Sequence, residues 1–539
     1  MSAVVDSLEV YERWGTLALT TAQLNKFWDM AEALRNNLDA AEYKHIVLGL
    51  VFLKHISDSF EARREQLTQD FSNPASEAYK PNSKAKENAL ETRDYYKEVN
   101  VFWVPEKSRW KVLAENSRQP DIAIRIDDAL YEIERENPKL EGIVARSYAS
   151  TKLPVSALGS VVDLISTMSF QNTENDSTDV LGQVYEFFLG KFASQEGKNA
   201  GQFYTAPSIV KTLVEVLQPL KGRVYDPACG SGGMFVQSEK FVEAHGGRHG
   251  QISIYGQESN PTTRRLCAMN LAIRGIDFNL GKTNGDTFTE NQHTDLRFDY
   301  ILMNPPFGRK ASYPKAQLLD DVRWKKYGVP RERPANYAWL SHAAHHLAPA
   351  GRAGIVMPRG ALTSAQGGDD LIRRAMLEDD LIECIVDLPA QLFFNVQIPA
   401  SLWFFNKDKE SWKNNRSGQV LFIDARNLGS SVSKTQIVFS DDEIARIGTI
   451  FNDWASGEYA DVDGFCKSVD LLQIEQNRYS LSPGRYISNE IDEIEEDAEP
   501  FADQMESLTY QLSSLISTSN VLNDEISKTL RSLGYEVNN

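Results

Sequence analysis

Asn304-Pro305-Pro306-Phe307 ends a strongly apolar run, Phe298-Asp-Tyr-Ile-Leu-Met303. Such a run predicts a buried strand, and two successive prolines fix the following turn as extended and rigid. The turn can present two fixed acceptors, the Asn304 side-chain oxygen and the Pro305 carbonyl. That pair suits an exocyclic amine on a base ring. Delocalisation of its lone pair makes such a nitrogen a poor nucleophile. Acceptors on both N–H bonds pull it towards tetrahedral geometry and expose the lone pair. Phe307 can stack on the base face, so positioning and electrostatics supply the acceleration. Taken alone, the motif also suits a rigid loop without chemistry.

Three earlier segments describe a partner site. Asp226-Pro-Ala-Cys-Gly-Ser-Gly-Gly233 follows the strand-like Arg223-Val-Tyr225 and leads into a helical pattern. Gly230, Gly232 and Gly233 let the backbone approach a ligand, and a helix N-terminus favours a negative group. The dinucleotide fingerprint is not met, because Phe235 stands where its third glycine would fall, which argues against NAD. Glu258, in Gly-Gln-Glu-Ser-Asn, can accept hydrogen bonds from both hydroxyls of a ribose. Asp286, in Asn-Gly-Asp-Thr-Phe, can accept one from an adenine amine, with Phe288 as an apolar surface nearby. Each carboxylate alone reads as a surface group. In order at successive strand ends, they describe a nucleoside site. A methyl group on a sulfonium is already activated, so the target amine need not lose a proton first.

These residues must be held by an α/β fold. The runs RVYDPA, ISIYGQE, FDYILMN, AGIVMP, IECIVDL and SLWFFN alternate with helical patterns such as PTTRRLCAMNLAIRG and NYAWLSHAAHHLAP. This predicts a Rossmann-like, mostly parallel sheet with helices on both faces and ligands at the carboxyl strand ends. The catalytic unit is expected at 166–475. Residues 1–165 form a helical N-terminal domain, with Leu24, Phe27, Ala31, Leu34 and Leu38 at helical spacing behind a Thr21 cap. A second apolar set follows at Ile46, Leu50, Leu53 and Ile56. The polar stretch 70–120, broken by Pro74, Pro81 and Pro105, reads as loop with some helix. Residues 476–539 form a helical tail. There Phe501, Met505, Leu508, Leu512, Leu515, Leu522, Ile526 and Leu533 follow a heptad pattern, weak at Ser519 and Thr529. Such a helix docks on a partner or packs on its own domain.

The 539 residues carry a formal net charge of −18, so binding of anionic duplex DNA needs a local basic surface or a basic partner. No apolar run reaches membrane-spanning length, and the N-terminus lacks a secretory pattern, so a cytoplasmic protein is expected. Cys229, Cys267, Cys384 and Cys466 lie too far apart for a zinc or disulfide framework. Gly281-Lys282-Thr283 is similar to the end of a phosphate-binding loop, but Ile276 occupies the required glycine position. His342, His345 and His346 lack acidic or cysteine partners in sequence, and no metal is expected.

The ordered set resembles the amino-group DNA methyltransferases, and with its flanks the modification subunit of type I restriction-modification systems. The likeness covers EYKHIVLGLVFLKHISD, DVLGQVYEFFLGKFA, GQFYTAPSIV, DPACGSGG, GQESNPTTRRLCAMNLAIRG, NGDTF, NPPFG and NRYSLSPGRYI. It implies N6-adenine methylation of double-stranded DNA with S-adenosyl-L-methionine as cofactor. Gln202, Phe203, Tyr204, Thr205, Ala206 and Pro207 would close over the methionine part of the cofactor. Ser231, Gly232 and Gly233 would line it, and Glu258 would hold the ribose. The family usually has Pro after the Tyr-Thr pair, often then Arg; here Ala206 and Pro207 stand there. The implied partners are a DNA specificity subunit, usually with two modification subunits around it, and a separate restriction subunit. Two alternatives are a protein glutamine-N5 methyltransferase, though such enzymes are usually much smaller, and a non-catalytic assembly subunit.

Overall fold

The computed structural model describes residues 21–35, 38–144, 146–167, 177–195, 205–306, 320–393, 399–433 and 436–487, with 509 and 519. Gln202, Phe203, Tyr204, Phe307 and nearly all of the C-terminal heptad segment lie outside the described residues.

The strands are β1 (Gly222–Asp226), β2 (Ile252–Gly256), β3 (Phe278–Asn279), β4 (Phe298–Met303), β5 (Leu347–Pro358), β6 (Ile382–Asp387), β7 (Ala400–Asn406), β8 (Gln419–Asp424), β9 (Ser430–Ser433), β10 (Gln436–Val438) and β11 (Cys466–Asp470). Nine of them form one sheet in the order β11-β8-β6-β7-β5-β4-β1-β2-β3, and β9 pairs with β10 apart from it. All six runs read from the sequence are strands. Side chains alternate between two buried clusters, as a period of two demands. Val356, Leu402 and Phe404 enter one cluster, and Ile355, Met357, Trp403 and Phe405 the other. Helices Pro207–Leu217 and Gly233–Ala244 contribute to the first cluster, and helix Asn336–His346 to the second, so both faces are covered.

The sheet is less uniformly parallel than the sequence predicts. β7 runs antiparallel between β5 and β6, and β11 antiparallel to β8. For β7 the cause is connection type. Helix Asp369–Glu378 bridges β5 and β6, and a parallel return needs such a crossover. The short stretch from Asp387 to Ala400 reverses the chain instead.

The first cluster continues into the N-terminal helices through Leu24, Trp28, Ile46, Leu50, Leu53 and Ile56. Helix Thr21–Leu34 lies within the described residues, which start at Thr21, and helix Ala40–Ser72 packs on helix Ser177–Gln195. That helix is tied to the sheet layer by the Tyr185 hydroxyl, which donates to Leu266 O at 3.1 Å. The Pro-broken stretch contains short helices at Ser83–Leu90, Asp94–Lys97 and Trp110–Glu115.

Candidate active site at the strand ends

β1, β2 and β4 lie side by side and parallel, with Asp226 level with Gly256 and Tyr225 level with Ile301. Their carboxyl ends therefore open on one edge, where the turns after them are bonded to one another. Gln257 N donates to Asp226 O at 3.0 Å, and Cys229 N to Gln257 O at 3.0 Å. Gly285 N donates to Glu258 O at 3.1 Å, and the Thr287 hydroxyl to Pro227 O at 2.5 Å. Asp226, Glu258 and Asp286, distant in sequence, thus share one rim.

The turn after β1 needs its glycines. Gly230 and Gly232 have φ of 53° and 84°, a region that L side chains rarely adopt. A Cβ on Gly232 would also meet Cys267 Sγ at 2.8 Å. Gly233, the first residue of helix Gly233–Ala244, faces open space: a Cβ there would meet nothing within 4 Å. Ser231 is buried, and its carbonyl accepts from Asn270 Nδ2 at 2.8 Å. An open backbone cradle at a helix N-terminus can receive the carboxylate end of an amino acid.

Glu258 is held by backbone donors. Gly230 N donates to Oε2 at 3.1 Å and Asn260 N to Oε1 at 2.8 Å. A carboxylate has about four lone-pair sites; the Ser259 hydroxyl takes a third through a long 3.4 Å bond to Oε1, so one site is open to a ribose hydroxyl and a second opens when the other hydroxyl replaces that long bond. Asp286 Oδ1 accepts from Phe288 N at 2.9 Å and Thr289 N at 3.2 Å, which leaves Oδ2 for an adenine amine. Phe288 is largely sunk into the second cluster, its ring centroid 4.4 Å from that of Trp339. These features fit the adenosine and methionine ends of S-adenosyl-L-methionine.

At the end of β4, Pro305 is buried while Asn304 and Pro306 are half-buried. Asn304 Nδ2 donates to Thr205 Oγ1 at 2.9 Å. Ala206 follows Thr205 and caps helix Pro207–Leu217 with extended backbone, and Pro207 takes the first helical position, where its missing N–H costs nothing. The departure from the usual family residues thus makes a regular helix start.

Three residues escaped the sequence reading. Gln257, fully buried, donates from Nε2 to Gly285 O at 3.0 Å and Glu290 O at 2.8 Å. Arg323, also buried, donates to Thr287 O at 2.9 Å and Phe288 O at 2.6 Å, clamping the turn that carries Asp286. Asn270 holds the glycine turn. Its amide amid the apolar residues of helix Pro261–Ile273 was a usable signal, because buried polar groups have partners. Arg323 gave none.

His342 is buried against the Tyr225 hydroxyl and Arg323, and His346 bonds to Asn291 at 2.9 Å. Burial holds both imidazoles well below their ordinary pKa, hence neutral. Among the described residues, one carboxylate–histidine group has ligand-like spacing: Glu239, Glu243 and His249. It is closed by His249 Nδ1 lying 2.9 Å from Glu239 and 3.3 Å from Glu243.

The rim is poised to respond to pH. Burial pushes the Asp226 carboxyl up to about 8, and the neighbouring Glu258 adds to the rise against the Ala228 N–H. Burial also raises Glu258. A ligand with net positive charge, as S-adenosyl-L-methionine has, favours the ionised forms and displaces a proton below about pH 8. Its affinity is expected to rise from pH 6 to pH 8, by up to about tenfold per unit for one coupled proton, and then level off. Without ligand the sign for stability is opposite. Only the folded state holds that proton, so stability falls as pH rises from about 4 to about 8. Calorimetry in buffers of different ionisation enthalpy checks this, and Asp226→Asn should flatten the profile. An affinity constant across pH 6–8.5 in the wild type contradicts it.

A model of the N-6 DNA methylase family matches residues 176–497, and one of the HsdM N-terminal domain matches residues 24–165. The methylase subunit of the type I restriction enzyme HindI from Haemophilus influenzae is 42% identical over 452 residues, covering 80% of this chain and 100% of that protein. The MjaIX methylase subunit of Methanocaldococcus jannaschii is 37% identical, covering 96% and 92%. The crystal structure of a type I restriction-modification methyltransferase subunit from Streptococcus thermophilus superposes with a TM-score of 0.72 at 24% identity, covering 86% of this chain and 99% of that one.

Proposed function

Because the chain belongs to the N-6 DNA methylase family, we propose that its strand-end rim holds S-adenosyl-L-methionine beside an adenine turned out of duplex DNA. The chain is an adenine-specific DNA methyltransferase, the modification subunit of a type I restriction-modification system. The observation that carries the assignment of the site is the Asn304 turn, bonded to Thr205 and next to the bonded rim of Asp226, Glu258 and Asp286.

When bound, the cofactor supplies an electrophilic methyl group on a sulfonium. The chain's own residues do the rest. Glu258 accepts from the ribose hydroxyls and Asp286 from the cofactor's adenine amine. The Gly230–Gly233 turn receives the methionine end. Asn304 Oδ1 and Pro305 O accept from the two N–H bonds of the target amine and ready its lone pair. Phe307 stacks on the extruded base, since an atom inside the duplex is out of reach. Family membership favours DNA adenine over a glutamine amide as acceptor, and the intact motif set argues against a non-catalytic assembly role.

The net charge of −18 supports a division of labour. A more basic specificity subunit grips DNA and reads sequence, two copies of this chain flank it, and a separate restriction subunit translocates and cuts. All act in the cytoplasm; no described helix is long and apolar enough to cross a membrane. The heptads from Phe501 to Leu533 are the segment assigned to docking on the specificity subunit. The test is methyl-labelled cofactor given to the chain alone and to the co-purified assembly. Label should enter DNA as N6-methyladenine only with the assembly. Label in protein glutamine, or site-specific methylation by the chain alone, overturns this reading.

A further inference from the structure

We propose that Thr205 is a positioning residue for the catalytic amide: its Oγ1 takes the nitrogen end of Asn304 at 2.9 Å and leaves Oδ1 for the target amine. This rests on the reading of Asn304 given above.

An asparagine amide has donors at one end and an acceptor at the other, in nearly the same shape, and its terminal torsion is broad. With the wrong end forward, donors of the enzyme would face donors of the adenine amine. Something must hold the amide, and the described partner is a hydroxyl 99 residues earlier in the chain. Both ends of that bond are stiff. Asn304 leaves a buried strand and precedes Pro305, which restricts its backbone. Thr205 precedes Ala206, itself restricted by Pro207, and the following helix turn is anchored by buried Ser208, Ile209 and Val210. A hydroxyl can donate as well as accept. Once the amine's N–H occupies Oδ1, Nδ2–H to Oγ1 is the direction that satisfies all three groups. The bond also joins the segment leading into helix Pro207–Leu217 to the segment that handles the base.

The experiment compares Thr205→Val, which keeps shape and loses the acceptor, with Thr205→Ser, which keeps it. Single-turnover methyl transfer is measured in the assembled enzyme at saturating S-adenosyl-L-methionine, and cofactor affinity by calorimetry. Thr205→Val should slow transfer about tenfold to a hundredfold, the scale of a misplaced catalytic group. The slowing should persist at saturating cofactor, whatever Thr205 also contributes to the segment expected over the methionine end, and Thr205→Ser should recover most of the rate. A Thr205→Val enzyme at wild-type rate overturns the proposal. So does one that loses cofactor affinity yet keeps its rate at saturation, because the hydroxyl would then serve the cofactor. A Thr205→Ser enzyme as slow as the valine variant overturns it as well. Asn304→Ala separates the two readings. If it is inactive while Thr205→Val is active, only the positioning role fails; if it is fully active, the catalytic reading of Asn304 fails and takes this inference with it.

Discussion

Asn304→Ala is expected to lower single-turnover methyl transfer to DNA by about a hundredfold to a thousandfold, the usual cost of removing one preorganised polar group from a reaction centre. The side chain acts where charge and geometry change most. In the ground state the adenine nitrogen is planar and its N–H bonds are weakly polarised. As the nitrogen becomes tetrahedral and gains positive charge, the acceptor on each N–H strengthens its hold. An interaction stronger in the transition state raises the rate constant rather than the binding constant. Among the described residues Asn304 is bonded to the cofactor-side segment through Thr205, so cofactor affinity should change by no more than about threefold. Rapid-quench assays on the assembled enzyme, with calorimetry for the cofactor, make the comparison. Wild-type transfer by the variant would refute the role. A loss in affinity as large as the loss in rate would make Asn304 a cofactor ligand instead.

The placement of much of this candidate site was legible in the sequence, for a physical reason. Strands buried on both faces read as short apolar runs, and the residue after each run must stand at a strand end. Asn304 follows Met303, Asp226 closes β1 and Glu258 follows β2 by two residues, so order along the chain became proximity at one sheet edge. The rest depends on pairings that sequence does not encode locally. Neither Thr205 nor Arg323 stands in an apolar run that would mark it as buried and partnered, yet one bonds Asn304 and the other clamps the Asp286 turn. The antiparallel β7 was hidden because an apolar run has no direction. β3 has two residues, too few for any periodicity. β8 is another matter: Val420, Leu421, Phe422 and Ile423 form an apolar run of strand length, a usable signal.

The largest loss of stability is expected at Glu383, away from the reacting groups. Glu383 lies in β6, four residues before Asp387, where the strand ends. Its carboxylate is wholly buried between two buried guanidinium groups. Arg416 donates to Oε1 at 2.7 Å, Asn406 Nδ2 to the same oxygen at 2.9 Å, and Arg352 stands 3.6 Å from Oε2. The arginines do more than balance the charge. Arg352 donates to Leu217 O at 3.0 Å, at the C-terminal end of helix Pro207–Leu217, and Arg416 donates to Trp412 O at 2.7 Å. Arg352 also lies 3.8 Å from the ring centroid of Trp412. Glu383→Ala leaves both cations buried without their counter-charge, which typically costs about 3–5 kcal/mol. With a urea slope of roughly 2–3 kcal/mol per molar, the midpoint should fall by roughly 1–2 M. Glu383→Gln, which keeps an acceptor for Asn406, should fall less. The sharper test is coupling. Arg416→Ala should cost less in the Glu383→Ala background than in the wild type, because it then removes an uncompensated charge as well as its hydrogen bonds. Equal costs in both backgrounds would mean that the pair does not act as a unit. A Glu383→Ala protein with a wild-type midpoint would mean that water or relaxation replaces the carboxylate. Either way, the part that still folds should bind cofactor normally, since Asp226 and Glu258 are fixed by bonds at the strand ends that do not involve Glu383.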